Sequence, residues 1–268
     1  MLSTPILLDY QSSTPCSKDV VDSMKPFWSE IFSNPSNKSN LAGINASAIL
    51  EASREKIEQN LFLKNKKVIF TSGATESNNL ALLGFARNYY KKTGNYGHII
   101  TLKTEHKAVL EPLHQLKKEG FMVTEITPER DGIISEEQFR KNIREDTFLV
   151  SVMMANNEIG VIQPIENISK ICKLRGITFH SDFAQCLGYV ELENLLSVVN
   201  MITMSSHKIY GPKGIGLLLI DQDITLEPLI VGGGQEYGLR SGTLPLPCLL
   251  YTSPSPRDQL TSRMPSSA

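Results

Sequence analysis

Residues 205–214 (SSHKIYGPKG) form the stretch whose residue types point most directly to chemistry. They follow an apolar segment, residues 198–204, that is typical of a buried strand, so Lys208 is expected on the loop leaving that strand. A lysine in a desolvated pocket loses its proton more easily and can form a Schiff base with an aldehyde cofactor. A lone His-Lys pair beside a Gly-Pro turn would be an ordinary surface feature, so the chemical interpretation depends on the rest of the chain.

A second candidate site lies between a predicted strand, residues 67–71, and a predicted helix, residues 78–90. The connecting residues 72–77 (SGATES) contain a glycine and three hydroxyl side chains. At the start of a helix, free backbone N–H groups and the positive end of the helix dipole attract anions. The segment therefore predicts either a phosphate-binding turn or a plain helix cap without a ligand. The chain contains neither a Walker pattern nor GxGxxG.

Predicted strands and helices alternate along the chain. Strands are predicted at residues 5–10, 97–101, 121–126, 147–153, 177–180, 198–204 and 216–220. Helices are predicted at residues 17–32 with a kink at Pro26, 45–61 with Asn45 as the cap, 107–119, 135–143 and 164–174. This order predicts an α/β fold with a mostly parallel central sheet flanked by helices, in which ligands bind beyond the carboxyl ends of the strands.

Polar residues cluster at those predicted strand ends, and pyridoxal 5'-phosphate gives each of them a role. Lys208 would form the Schiff base, and Asp182 can keep the pyridine nitrogen protonated, so that the ring is an electron sink. The remaining contacts are divided by chemistry: Thr75, Ser205 and His207 to the phosphate, Asn157 and Gln185 to the phenolic oxygen, and His106 over the ring face. Taken singly, each residue is better explained by local structure: Asp182 as a turn residue, His106 as a helix N-terminal residue and Asn157-Glu158 as a loop. Taken together, one polar group after each of several strands is hard to explain by turns alone.

Six strings of the sequence resemble the cysteine desulfurases of the IscS/NifS class, in register and in order between about Pro5 and Pro247. They are residues 34–36 (NPS), 71–78 (TSGATESN), 104–110 (TEHKAVL), 156–160 (NNEIG), 206–214 (SHKIYGPKG) and 232–243 (GGGQEYGLRSGT). The His-Lys string and the string from Gly-Gly-Gly to Arg-Ser-Gly-Thr are the most specific of the six.

This resemblance implies a fold-type I pyridoxal phosphate enzyme with Lys208 and His106 as catalytic residues, and it adds Ala74 to the cofactor-binding set. It implies a homodimer in which Thr243 reaches the phosphate of the partner's site. The implied reaction takes sulfur from L-cysteine and leaves alanine and a persulfide. Iron–sulfur scaffold proteins or thiolated tRNA synthesis would receive that sulfur.

The resemblance also divides the chain into domains. Residues 1–15 would belong to a small domain, residues 16–247 to the large cofactor-binding domain, and most of the small C-terminal domain has no counterpart here. In the family, that C-terminal segment supplies the nucleophilic cysteine and the arginine that grips the substrate carboxylate. Cys16, Cys172, Cys186 and Cys248 do not match the nucleophile's position and are expected to be reduced structural thiols. The chain by itself is therefore expected to desulfurate cysteine poorly or not at all.

Residues 248–268 are expected to stand apart from the large domain. From Leu249 to the end, ten of twenty residues are Ser, Thr or Pro, and no apolar periodicity is present. Two interpretations fit this composition: foreign sequence joined to an incomplete gene model, or a natural disordered tail.

Composition narrows the class of protein further. The chain has 268 residues, 41% hydrophobic residues and a net charge of −1, which favours a globular protein and predicts neither nucleic acid nor an anionic membrane as a partner. It contains no apolar run of eighteen residues and no basic leader, so a cytoplasmic location is predicted.

Three other functions fit parts of the pattern. A related enzyme such as a selenocysteine lyase, kynureninase or aminotransferase would share the lysine, although the strings at His106 and at residues 232–236 favour a desulfurase. A sulfur-transfer scaffold without catalysis would be favoured if no cofactor bound. A nucleotide-binding domain is disfavoured because the Walker and GxGxxG patterns are absent.

Overall fold

A seven-stranded sheet organises the protein in the computed structural model, which describes residues 7–249. The strands are β1 (Lys66–Thr71), β2 (His98–Leu102), β3 (Met122–Ile126), β4 (Thr147–Ser151), β5 (Thr178–Asp182), β6 (Met201–Ser205) and β7 (Gly216–Asp221). Their order in the sheet is β1-β7-β6-β5-β4-β2-β3. Only β7 runs against its neighbours, while all other pairs in the sheet are parallel. The predicted mostly parallel α/β sheet is confirmed.

Ten α-helices accompany these strands in the described part of the chain. They are α1 (Lys18–Met24), α2 (Pro26–Ser29), α3 (Leu41–Asn60), α4 (Ala74–Asn79), α5 (Phe85–Thr93), α6 (Lys107–Glu119), α7 (Glu136–Asn142), α8 (Ile165–Arg175), α9 (Glu193–Val198) and α10 (Leu246–Leu249). A π-helical turn, Leu80–Gly84, joins α4 to α5, so the two form one continuous helical segment. The predicted break at Pro26 is confirmed, because α1 ends at Met24 and Pro26 begins α2.

Two hydrophobic clusters cover the two faces of the sheet. Consecutive strand residues belong to different clusters: Ile99 and Ile69 contribute to one, Ile100 and Phe70 to the other. This alternation is the two-residue period of a strand whose side chains point to opposite faces. Because both faces of the central strands are buried, apolar residues dominate strands such as β4 and β7. In β5, polar residues follow Phe179 within the strand itself and are buried.

Three predictions about local structure are wrong. The strand predicted at residues 5–10 has no counterpart over residues 7–10, and its first two residues lie outside the described residues. The cap of α3 is Asn40, not Asn45, because the Asn40 side chain accepts a hydrogen bond from the N–H of Gly43 at 2.8 Å. The segment predicted as a strand from residue 198 begins as helix α9 and becomes a strand only at Met201.

The loop at residues 232–243 is anchored by a buried ion pair. Glu236 accepts hydrogen bonds from Arg54 of α3 at 2.8 Å and from the N–H of Phe70 in β1 at 2.7 Å. Both charged side chains are almost completely buried, with 6% of the Arg54 and 1% of the Glu236 side chain exposed. Removing one partner of such a pair leaves an uncompensated charge, so the pair ties this loop firmly to the sheet.

Candidate active site

One cavity of about 470 Å³ lies at the carboxyl ends of the parallel strands. All of the site residues predicted from the sequence line it except Thr243. They are Ala74, Thr75, His106, Asn157, Asp182, Gln185, Ser205, His207 and Lys208. The residues come from five separate connections in the chain, and the parallel sheet brings these connections to one edge. Further polar residues of the lining are Ser12, Ser13, Ser72, Glu76 and Lys213.

Thr243 lies outside this cavity and is exposed. Its loop nevertheless contacts the cavity wall, because Arg240 donates a hydrogen bond to Glu76 of α4 at 2.9 Å. Glu76 also accepts from the N–H of Ser72, just before the helix, at 2.9 Å. The loop that carries Thr243 is therefore held against the start of α4, and the role of Thr243 toward a second copy of the chain stays a prediction.

Lys208 lies on a single 3₁₀ turn, Ser206–Lys208, that leaves β6 as predicted. Its Nζ donates to the carbonyl oxygens of Gln11 at 2.7 Å and Ser12 at 3.0 Å. Burial lowers the pKa of the Lys208 amine, and the negative charges of Asp182 and Asp9 oppose that shift. The amine is thus more easily deprotonated than an exposed lysine, which is the property that a nucleophilic lysine needs.

The segment before α1 holds the lysine loop in place. The N–H and hydroxyl of Thr14 both donate to the carbonyl oxygen of His207, at 2.9 and 3.0 Å. The Thr14 hydroxyl in turn accepts from the N–H of Tyr210 at 2.7 Å. The His207 ring is 3.2 Å from the Ser13 hydroxyl, measured from Nδ1. Ser12 and Ser13 therefore line one wall of the cavity while Thr14 holds the lysine loop beside them, an arrangement that sequence analysis did not predict.

The start of α4 provides a place for an anion. Gly73 precedes the helix with φ +152°, a conformation that favours glycine, and the space where a side chain would begin is open to 4 Å. No side chain caps the helix at Gly73. The hydroxyl of Ser205, which lines the same cavity, is buried and has no hydrogen-bond partner in the described part of the chain. A helix start without a side-chain cap and an unpaired hydroxyl in one cavity are suited to phosphate oxygens.

Asp182 ends β5 with its carboxylate nearly buried, at 4% exposure. Its two oxygens accept separate hydrogen bonds: Oδ2 from the Asn78 side chain at 2.7 Å, and Oδ1 from the N–H of Ala184 at 2.9 Å. Burial raises the pKa of Asp182, and these two hydrogen bonds oppose the rise, as do the charges of His106 and Lys208. Sequence analysis missed Asn78 because the helix was predicted to begin there, whereas it begins four residues earlier.

His106 is both the cap of α6 and part of the cavity wall. Its Nδ1 accepts a hydrogen bond from the N–H of Ala108 at 3.0 Å. An acceptor nitrogen carries no proton, so the neutral ring has its proton on Nε2. The two interpretations of this histidine from the sequence, a helix terminus and a site residue, thus describe one side chain.

Gln185 and Asn157 differ in how firmly they are held. The Gln185 side chain donates to the carbonyl oxygen of Gln11 at 3.0 Å. Asn157 is half-buried, and its amide makes no hydrogen bond to another described residue. The free amide of Asn157 can therefore donate to a ligand without giving up a contact.

Glu105, next to His106, was also missed and is the most unusual carboxyl group of the region. It is 6% exposed; Oε1 accepts from the N–H of Met153 at 2.6 Å, and Oε2 has no partner among the described residues. Burial raises the pKa of Glu105 well above its ordinary value, and the charge of Asp182 adds to the rise, against the hydrogen bond from Met153. The carboxyl group is therefore held in its neutral form more strongly than an exposed one.

This shift predicts how stability depends on pH. A carboxyl with a raised pKa in the folded state stabilises the fold below its unfolded pKa, and that contribution is lost as pH rises through the folded pKa. Glu105→Gln keeps an acceptor for Met153 but cannot ionise, so its advantage over the parent should grow with pH by up to about 1.4 kcal/mol for each pH unit across that window. Urea unfolding between pH 4 and 8 measures this, with exposed Glu111→Gln as the control; parallel curves for Glu105→Gln and the parent would contradict it.

None of the four cysteines lines the cavity, and all are free thiols. Cys172 and Cys186 are buried; burial raises the pKa of Cys172 to about 12 and also raises the pKa of Cys186. Such thiols are poor nucleophiles because the reactive form is the thiolate. Among residues 7–249 there is also no cluster of His, Cys, Asp and Glu suited to a metal, and no helix long and apolar enough to span a bilayer.

The chain is similar to known proteins over most of its length. The family model described as aminotransferase class-V matches residues 6–247. Over 249 residues the chain is 47% identical to a cysteine desulfurase IscS from Ehrlichia chaffeensis, covering 92% of this chain and 60% of the relative. It is also 47% identical, over 248 residues, to a mitochondrial cysteine desulfurase from Eremothecium gossypii, covering 92% of this chain and 50% of the relative. The chain thus spans between half and 60% of the length of these relatives.

Solved structures show the same arrangement of the sheet and helices. A NifS-like protein superimposes with a TM-score of 0.89 at 36% identity, covering 97% of this chain and 70% of the other. A structure described as SspA in complex with cysteine gives a TM-score of 0.85 at 39% identity, covering 98% of this chain and 74% of the other. The fold is therefore one already seen in these solved structures.

Proposed function

Because the chain belongs to the class V aminotransferase family, whose members depend on pyridoxal phosphate, we propose that it is the cofactor-binding part of a cysteine desulfurase. The observation that carries the proposal is Lys208, a half-buried amine of lowered pKa that lines the same cavity as the buried carboxylate of Asp182. The proposed reaction moves the sulfur of L-cysteine to a protein thiol. The products are L-alanine and a protein persulfide.

The phosphate end of the cavity fits this cofactor. The helix start at Ala74 and Thr75 offers backbone N–H groups, and the unpaired hydroxyl of Ser205 in the same cavity offers a further donor. His207 adds a third polar group from the lysine loop. A dianionic phosphate would accept hydrogen bonds from groups that otherwise lack a partner, as expected at an anion-binding site.

The ring end fits as well. Asp182 would accept from the ring nitrogen, the free amide of Asn157 and the amide of Gln185 would donate to the phenolic oxygen, and His106 would lie against the ring face. When bound, the cofactor acts as an electron sink that accepts charge from the substrate's α-carbon. A carboxylate beside the ring nitrogen favours the protonated, more electron-withdrawing form of that ring.

The chain's own groups have distinct tasks in this scheme. Nζ of Lys208 holds the cofactor and moves a proton, which its lowered pKa favours near neutral pH. The segment of Gln11 and Ser12 positions that amine through two carbonyl oxygens. The Nε2–H of His106 can donate a hydrogen bond to a substrate atom above the ring.

L-Cysteine is the proposed substrate because the similar SspA structure is described as a complex with cysteine and the relatives are named cysteine desulfurases. We further propose that residues 7–15, which the sequence assigns to a small domain, work with the large domain of residues 16–247 by supplying the wall beside Lys208. Thr243 is proposed to serve the phosphate of a second copy in a homodimer, and a sulfur-acceptor or iron–sulfur scaffold protein is the proposed recipient. A cytoplasmic location remains a prediction.

Product analysis tests the proposed activity. Residues 1–247 would be joined to the C-terminal part of the Ehrlichia chaffeensis relative that the chain does not span, and the chimera supplied with pyridoxal phosphate and L-cysteine. With dithiothreitol present, we expect L-alanine and sulfide in equal amounts. A chimera that binds the cofactor but forms neither product, while the intact relative forms both, would contradict the proposal.

A further inference from the structure

Asn78 contacts Asp182, a residue of the cavity wall, but does not itself line the cavity. Its Nδ2 lies 2.7 Å from Oδ2 of Asp182, and both side chains are buried, with 0% of Asn78 exposed. Neighbouring Ser77 is held to Thr71 at the end of β1 by a 2.7 Å hydrogen bond between their hydroxyls. The backbone that carries Asn78 is therefore fixed relative to the sheet.

The amide of Asn78 is oriented by the carboxylate. An ionised carboxylate only accepts hydrogen bonds, so the nitrogen of the amide must face it. As a result, Oδ1 of Asn78 is buried without a partner among the described residues. An unpaired buried acceptor destabilises the fold, so packing alone does not account for an asparagine where a leucine of similar volume would leave no orphan. The benefit of an asparagine at position 78 must therefore come from its hydrogen bond to Asp182.

The surroundings of Asp182 show what that benefit is. Burial favours the neutral carboxyl of Asp182, whereas the charges of His106 and Lys208 favour its ionised form. The charge of Asp182 in turn raises the pKa of Glu105. Two further titratable groups lie near Asp182: the thiol of Cys186 and the ring of His180, which precedes Asp182 by two residues on β5. Against burial, only Asn78 and the N–H of Ala184 support the ionised form by direct hydrogen bonds.

Asn78 also lies on the helix that begins at the phosphate end of the cavity. Ala74 is the first residue of α4, and Asn78 follows it by four residues, which is about one turn. The first residues of α4 thus present their N–H groups to the proposed phosphate end of the cavity. Asn78, one turn later, bonds the carboxylate of Asp182 at the proposed ring end. The distance between the two ends is set by the helix rather than by flexible loops.

We propose that Asn78 is a positioning residue that fixes the orientation and the negative charge of the Asp182 carboxylate for the ring nitrogen of the cofactor. Each carboxylate oxygen keeps an acceptor position after bonding Asn78 or Ala184, so Asp182 can still accept from a ligand in the cavity. The inference rests on the proposed function for its cofactor, whereas the Asn78–Asp182 contact itself is a property of the protein alone.

The test uses the full 268-residue chain as Asn78→Leu, with Asn79→Asp and the parent as controls. Asn79 is the next residue of α4, and its amide bonds the Thr75 carbonyl instead of Asp182. Without cofactor, carbon-13 NMR of the carboxyl of Asp182, assigned through Asp182→Asn, gives its titration. With cofactor, pyridoxal phosphate affinity is measured by absorbance at two or more pH values.

We expect Asp182 to titrate at higher pH in Asn78→Leu than in both controls, and the cofactor dissociation constant to rise about tenfold, the size of one charge-assisted hydrogen bond. Should Asn78→Leu not fold, Asn78→Asp has the same shape, faces Asp182 with a second carboxyl and must shift the titration in the same direction. An unchanged titration, or a shifted titration with unchanged affinity, overturns the inference. A parent that binds no cofactor overturns the proposed function instead, and the titration still decides the role of Asn78.

Discussion

Lys208→Ala should leave the protein without the visible absorbance that pyridoxal phosphate gives when it is attached to a lysine. Lys208 is half-buried, points to the carbonyl oxygens of Gln11 and Ser12, and lies in the cavity with Asp182. Any affinity left in the variant would come from the phosphate and ring contacts alone. Titration with the cofactor, followed by gel filtration and absorbance, measures what remains attached.

Lys213→Ala is the matched control for this experiment. Lys213 lines the same cavity, five residues further along the same loop, but is exposed. We expect that variant to keep the parent's absorbance. Equal loss in both variants, or retained absorbance in Lys208→Ala, would show that the attachment point has been assigned wrongly.

The chain alone should release sulfide from L-cysteine about 10⁶-fold more slowly than the active chimera, because loss of a covalent nucleophile can cost that much in rate. The physical reason is that none of its four cysteines lines the cavity. Cys172 and Cys186 are buried, and the raised pKa values of both thiols keep them protonated near neutral pH. Sulfide and alanine are measured in parallel over several hours.

The sulfide release of the cofactor-loaded chain is compared with that of the cofactor-loaded chimera at equal concentration. A variant of the chain with both Cys172→Ala and Cys186→Ala removes the buried thiols as candidate nucleophiles. Those replacements should leave the amounts of sulfide and alanine formed by the chain unchanged. Turnover by the chain within tenfold of the chimera would mean that one of its own thiols acts as the nucleophile, contrary to the geometry.

The sheet was predictable because its strands are short, apolar and separated by helices with clear periodicity. Lys107–Glu119 matches the predicted helix at both ends, since His106 caps it and Gly120 ends it with φ +114°. Helix α3 shows where this approach fails. Ala48 and Ala52 are exposed although they are apolar, whereas the charged Arg54 is buried because Glu236 lies opposite it, 182 residues along the chain.

The site was predictable to the extent that its residues follow strands directly. Thr75, Asp182 and Lys208 share one cavity because the carboxyl ends of parallel strands meet at one edge. Asn78 and Glu105 do not line that cavity, and only the observed packing shows that their side chains turn toward Asp182 and Met153. The wall formed by Ser12 and Ser13 was not predictable either, since it depends on a contact almost 200 residues apart in sequence.

Peptide mapping after borohydride reduction tests the central claim most directly. The 268-residue chain is incubated with pyridoxal phosphate, reduced and digested, and the modified lysine is located by mass spectrometry. The account predicts one stoichiometric phosphopyridoxyl group, on the peptide containing Lys208 and on its Nζ. A modification spread over surface lysines, or concentrated on a lysine other than Lys208, would contradict it.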